Sequence, residues 1–130
     1  MILIDTSVWI EYFKQNKRYI DDMQTLLASK KIVTIEPVFS ELLYGARNRE
    51  EKEIIQSYWD VLPRISFGAD SMIEAANFAS SNEFYQLGIG LLDAIIIKSA
   101  QEGNHQLWTL DKRINNNIDQ KLLFQPSNLA

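Results

Sequence analysis

Met1-Ile2-Leu3-Ile4-Asp5-Thr6-Ser7-Val8-Trp9 is the stretch whose reading decides the fold. An apolar run starts at the first residue and is cut off by an acid and two hydroxyl residues. A buried parallel strand that delivers a carboxylate to the carboxyl edge of a sheet has this pattern. In open α/β sheets that edge is where ligands bind. Thr6 or Ser7 is then placed to cap a helix that begins at Val8. The alternative is that Asp5 itself is only a helix cap, and one strand-end acid does not separate the two.

Outward from Asp5, strands and helices alternate. Val8 to Phe13 is short and amphipathic, with Trp9 and Phe13 one turn apart. Asn16-Lys17 reads as a break, and a helix is expected from about Tyr19 to Ser29 with Ile20, Met23, Leu26 and Leu27 inward. Ile32-Val33-Thr34-Ile35 is β-branched and reads as a second strand. Glu36-Pro37 opens the next helix, and the charge-rich run 47–53 leads into another through Ile54, Ile55, Tyr58 and Trp59. Pro63 precedes a short expected strand, Ile65-Ser66-Phe67, and Gly68-Ala69-Asp70-Ser71 starts a helix reaching about Phe84 or Tyr85. From Leu91 or Leu92 the chain is apolar nearly all round. Three isoleucines there allow a strand, but the run to Gly103 favours a buried helix. Gln106 to Leu110 is the next expected strand, then a polar helix or turn, then Leu122-Leu123-Phe124 as an edge strand. Strands alternating with helices imply a parallel sheet covered on both faces.

The 130 residues are expected to form one domain, spanning 1–130. With no cysteine and a single histidine, thiol chemistry and thiolate or multi-histidine metal sites are excluded. Any metal must be held by oxygen, which favours magnesium or manganese. No run approaches the ~20 apolar residues that cross a bilayer, and no signal peptide is recognisable, so a cytoplasmic protein is expected. The net charge of −4, from 17 acids and 13 bases, argues against a general polyanion binder.

Four acids lie in apolar surroundings: Asp5 after the first strand, Glu41 among Val38, Phe39, Leu42 and Leu43, Asp93 between Leu92 and Ala94, and Asp111 after Leu107-Trp108-Thr109-Leu110. Ionised carboxylates rarely sit there unpartnered, and one divalent cation would partner several at once. Singly, Asp5 and Asp111 are equally helix caps and Asp93 a helix-dipole acid, while a pairing of Glu41 with Arg47, six positions on, does not suit one helical face. Trp9, Tyr44 and Trp108 are expected in the core rather than stacked on bases. Two other magnesium-binding classes fit less well. A haloacid-dehalogenase-type phosphotransferase wants an acid where Ser7 stands, and a receiver domain wants paired acids early in the chain.

Four segments carry a family resemblance: Ile4-Asp5-Thr6-Ser7-Val8-Trp9-Ile10, Ser40-Glu41-Leu42-Leu43-Tyr44-Gly45-Ala46-Arg47, Leu92-Asp93-Ala94-Ile95-Ile96 and Trp108-Thr109-Leu110-Asp111. Together they resemble PIN-domain ribonucleases, specifically the short VapC-type toxins of toxin–antitoxin pairs. The resemblance implies a three-layer α/β/α sandwich around a mainly parallel sheet, and Mg2+- or Mn2+-dependent endoribonuclease activity. Asp5, Glu41, Asp93 and Asp111 would be the catalytic acids, with Asp5 and Asp93 as metal ligands. Glu41 and Asp111 would ligate directly or through water, and Thr6, Ser7 and Thr109 would support them. Arg47, Lys98, Lys112 and Arg113 are the expected contacts to an RNA substrate. The resemblance further implies a cognate antitoxin and a homodimer, with Tyr12-Phe13 and Phe39 to Tyr44 as contact surfaces. The alternatives within this reading are a free-standing RNA-processing nuclease and a silent RNA-binding PIN domain. The chain departs from the family pattern at Arg113 and Ile114, where a further acid and a phenylalanine are common, and at Lys98.

Overall fold

The computed structural model describes residues 1–127. Ile2–Ile4 forms β1, flanked by β2 (Ile32–Val33) and β3 (Gln106–Trp108) in a three-stranded sheet of order β2-β1-β3. Both pairings are parallel, with Leu3 opposite Val33 on one side and Leu107 on the other. All three residues of β1 are buried, which is why no polar position interrupts the opening run. The chain leaves β1 toward β2, then crosses back to place β3 on the opposite side. The carboxyl end of β1 is therefore a topological switch point, and Asp5 is the next residue.

The helices are α1 (Thr6–Phe13), α2 (Lys17–Ala28), α3 (Glu36–Tyr44), α4 (Arg49–Val61), α5 (Ser71–Ser81), α6 (Leu91–Glu102) and α7 (Lys112–Asn117). With the sheet they make the α/β sandwich of a PIN-like fold. α1 packs on α2 and α3, α3 on α4, α5 on α6, and α6 on β3. α6 is a helix, as its glycine stop suggested: Ile95, Ile96 and Ile97 are all buried and Gly103 caps its end. Trp9, fully buried, holds α1 down by packing its ring against Phe13, Phe39 and Tyr58. Aromatic pairs of this kind add about 0.5–1.5 kcal/mol each beyond the area they bury.

Several expectations are corrected. α1 starts at Thr6, not Val8, because Asp5 takes the cap position and accepts the Thr6 N–H. Ile65–Phe67 is not a strand. Only Arg64 bridges to Thr34, because α3 begins at Glu36 and leaves Ile65–Phe67 no extended partner beyond the bond from the Ile65 N–H to the Thr34 carbonyl. The closing strand shrinks to one bridge, Leu107 to Leu123, because Asp119 caps a 3-10 turn that takes in Leu122. β3 ends at Trp108, whose carbonyl accepts the Asp5 N–H as Thr109 turns away. α5 stops at Ser81, where the Asn82 side chain bonds the Phe78 carbonyl and Glu83 takes a left-handed conformation at φ 56°. Trp9 and Trp108 are core residues as expected, but Tyr44 is 95% exposed at the last turn of α3. Phe39 is buried, so it offers no contact surface.

Candidate active site

Asp5 is the most buried of the four acids. It is 6% exposed, and its carboxylate accepts from three donors. The Thr6 N–H bonds Oδ1 at 2.8 Å, while the Ser7 and Thr109 hydroxyls donate to Oδ2 at 3.0 and 2.6 Å. Three of a carboxylate's roughly four lone-pair directions are therefore used, leaving one for a ligand. The two hydroxyls also lock the strand ends together. Ser7 Oγ accepts the Leu110 N–H at 3.1 Å, and Thr109 Oγ1 accepts the Asp111 N–H at 3.1 Å.

Asp111 caps α7, accepting the Arg113 N–H at 2.8 Å and the Ile114 N–H at 3.4 Å on Oδ1. The Arg113 guanidinium closes on the same carboxylate, Nη2 to Oδ2 at 3.2 Å. Burial pushes the Asp111 carboxyl up, but these bonds to Arg113 and Ile114 outweigh it and hold it below the usual carboxylate range. Asn115 steadies the turn from beneath, donating to the Thr109 and Asp111 carbonyls at 2.9 and 3.1 Å.

The other two acids come from helices. Glu41, exposed on α3, accepts the Thr6 hydroxyl at 3.0 Å. Asp93 sits in the first turn of α6, where the nearby Gly90 backbone N–H favours its charged form. Burial raises the Asp93 carboxyl, and the charges of Asp5, Asp111 and Glu41 raise it further against that N–H. All four acids therefore act electrostatically on one place at the carboxyl edge of the sheet. Their oxygen-only chemistry suits a hard divalent cation. Among the described residues no cluster of three acids is already drawn together as a metal cage, so a cation would have to gather them.

The basic side chains expected to meet a substrate are not all brought here. Arg113 is at the site. Lys112 is exposed at the first position of α7. Arg47 pairs with Glu51 at 2.8 Å rather than with Glu41. Lys98 is engaged by Glu74 and Glu102, and five positions along α6 turn it about 140° away from Asp93. Sequence reading missed Asn115, although an amide four residues after a cap acid is a recognisable turn-closing signal. Beside the acids, a groove of about 650 Å³ is lined by Ile10, Phe13, Ile20, Glu41, Leu42, Arg47, Ile54 and Tyr58. Its walls are mostly apolar, and Glu41 belongs to both groove and acid edge.

Comparison with known proteins bears on this arrangement. The PIN-domain family model matches residues 2–118. Ribonuclease VapC32 of Mycobacterium tuberculosis is 29% identical over 117 residues, covering 88% of this chain and 87% of that protein. The structure of VapBC2 from Rickettsia felis bound to a promoter DNA fragment superposes with a TM-score of 0.68 at 25% identity, over 96% of this chain and 98% of that one. A toxin–antitoxin complex from Klebsiella pneumoniae superposes with a TM-score of 0.69 at 20% identity, over 88% and 90%.

Proposed function

Because the chain belongs to the PIN-domain family, we propose that it is an endoribonuclease, the toxin of a toxin–antitoxin pair, cleaving RNA with Mg2+ or Mn2+. One observation carries this reading: at the switch point of the sheet the Thr6 and Thr109 side chains tie Glu41, Asp5 and the Asp111 backbone to one turn, and the charges of these three acids raise the Asp93 carboxyl beyond what its burial does. Carboxylates that face one ligand edge and raise one another's proton affinity are a natural binding place for a cation. The ribonuclease from M. tuberculosis and the toxin–antitoxin assemblies of R. felis and K. pneumoniae support the same reading.

In this proposal Asp5 and Asp93 hold the cation, with Glu41 and Asp111 ligating directly or through water. Bound there, a divalent cation supplies an activated water at neutral pH and offsets charge building on the phosphate. The chain's own residues prepare the rest. Ser7 and Thr109 keep Asp5 aimed, because both hydroxyls donate to its Oδ2. Thr6 ties Glu41 to the same turn. Lys112, exposed beside Asp111, and Arg47, beside Glu41 on the groove, supply positive charge for the RNA backbone. Lys98 is left out, since two acids share its charge and α6 turns it away from Asp93.

Two protein partners follow. An antitoxin segment with apolar side chains suits the groove, and there it would cover Glu41. A second copy of the chain suits the exposed Met72 and Ile73 of α5 and Leu91 and Leu92 of α6. Among the described residues no helix is long and apolar enough to cross a membrane.

The test is RNA cleavage by purified protein. Cleavage should stop with a chelator, return with Mn2+ or Mg2+, and be absent in Asp5→Asn protein whose circular dichroism is unchanged. Chelator-resistant cleavage, or full activity in Asp5→Asn, would overturn the assignment.

A further inference from the structure

Arg113 grips Asp111 more closely than a chance surface contact would. Its guanidinium places Nη2 3.2 Å from Oδ2 and Nε 3.4 Å from Oδ1, and its own backbone N–H donates to Oδ1 at 2.8 Å. One residue therefore gives three donors to one carboxylate. The other side of the arginine is confined as well. Gly88, left-handed at φ 72°, passes so near that a Cβ there would stand 3.3 Å from Arg113 Cδ and 3.6 Å from Nη1. Gly88 belongs to the loop leading into α6, two residues before Gly90, whose N–H favours the charged form of Asp93. Arg113 is thus lodged between the acid at the start of α7 and the loop that delivers the acid of α6.

We infer that Arg113 is a resident counter-ion: it occupies Asp111 in the metal-free protein and competes with the divalent cation for the same carboxylate oxygens. This rests on the metal-dependent reading above and gives Arg113 a positioning role in place of a contact to substrate. A guanidinium and a hard cation seek the same lone pairs, and Oδ1 already accepts three N–H groups. The competition is mild. The Arg113 side chain is 60% exposed, and ion pairs that open to water are weak and displaceable. Arg113 therefore raises the cation concentration at which the site fills without blocking it, and offsets the charge of Asp111 alone when it is empty.

Calorimetric titration of wild type, Arg113→Gln and Arg113→Lys with Mn2+ alone, without RNA, tests this. Arg113→Gln is expected to bind Mn2+ on the order of three- to tenfold more tightly than wild type. Arg113→Lys keeps the charge but loses the planar fork, and its affinity should fall between the two, nearer wild type. Thermal melts establish that all three are folded, as an exposed side chain leads one to expect. Unchanged or weaker Mn2+ binding in Arg113→Gln would overturn the inference while leaving the metal site intact. Arg113→Lys binding as tightly as Arg113→Gln would overturn it too, because the charge would then be irrelevant. No Mn2+ uptake by any of the three would overturn this inference together with the metal-dependent reading.

Discussion

The acid edge has two unlike halves. Asp5 and Asp111 leave strand ends, and each accepts from at least three donors within a few residues or across the β1–β3 junction. Glu41 and Asp93 arrive on helices, Glu41 held by one hydroxyl and Asp93 favoured only by the nearby Gly90 N–H. The difference has a physical source. Strand ends and helix starts expose N–H groups that any cap acid satisfies, so the sheet half is held by bonds the fold makes anyway. Glu41, in the interior of α3, finds no free N–H beside it and looks to another element, and Asp93, in the first turn of α6, has only the Gly90 N–H against its burial and its charged neighbours. The sheet half is therefore preorganised, and the helix half keeps the unrelieved repulsion that a cation would relieve.

The largest effects should come from removing one carboxylate of each half. Asp5→Asn and Asp93→Asn should each lower RNA cleavage by about a thousandfold or more, yet move stability in opposite directions. Asp5→Asn turns an amide group toward donors that need an acceptor, which costs about 1–3 kcal/mol. Asp93→Asn removes a charge that its neighbours oppose, and should raise the melting temperature of metal-free protein by about 2–4 °C. Cleavage assays beside thermal melts read both, and equal signs for the two stabilities would erase the distinction between the halves.

Next in size is Thr109→Val, nearly isosteric with the threonine. It removes the 2.6 Å bond to Asp5 and the acceptor of the Asp111 N–H together. We expect a loss of about 1–2 kcal/mol in chemical denaturation and roughly tenfold in cleavage, as supporting partners of metal ligands usually cost.

The halves should also differ in their pH dependence. The raised Asp93 means the folded protein binds its proton more tightly than the unfolded chain does. Its contribution is fully present below the usual carboxylate pKa and is lost as pH rises through the raised value. Asp111 is lowered, so its contribution is present above the usual value and is lost as pH falls through the lowered one. In metal-free melts from acid to neutral pH, the gain from Asp93→Asn should grow toward neutrality. The loss from Asp111→Asn should shrink toward acid. Parallel pH profiles for the two variants would show that the halves do not differ.

The opening run, the parallel order of strands and the buried helix through three isoleucines were legible because burial writes itself as period and composition. So were the four acids, as exceptions to apolar surroundings. Their joint meaning was less legible, because cap and site are not alternatives here: Asp5 and Asp111 cap helices and also stand at the acid edge. The bond from Thr109 to Asp5 closes 104 residues of chain, and no local pattern announces such a contact. Tyr44 misled because its neighbour Leu43 is half-buried while Tyr44 falls past the buried stripe of α3. The strand expected at Ile65–Phe67 failed for a tertiary reason, since β propensity alone builds no ladder without a partner in register.

Among the described residues Thr6 alone bonds both halves, its N–H to Asp5 and its hydroxyl to Glu41. Thr6→Val keeps the N–H and nearly the same volume, so the sheet half should stay intact and only the tie to Glu41 should go. Glu41 is exposed, and water can replace the lost donor, which limits the stability cost to about 0.5 kcal/mol or less. Cleavage should fall only about two- to fivefold, because Glu41 would still reach the site but with more freedom of position. The informative readout is the pairing with Glu41→Gln in a double-mutant cycle. If Thr6 acts through Glu41, the second change should cost less in Thr6→Val protein than in wild type. Additive losses would mean that the bond is incidental and that the helix half is positioned by the packing of α3 on α1 alone.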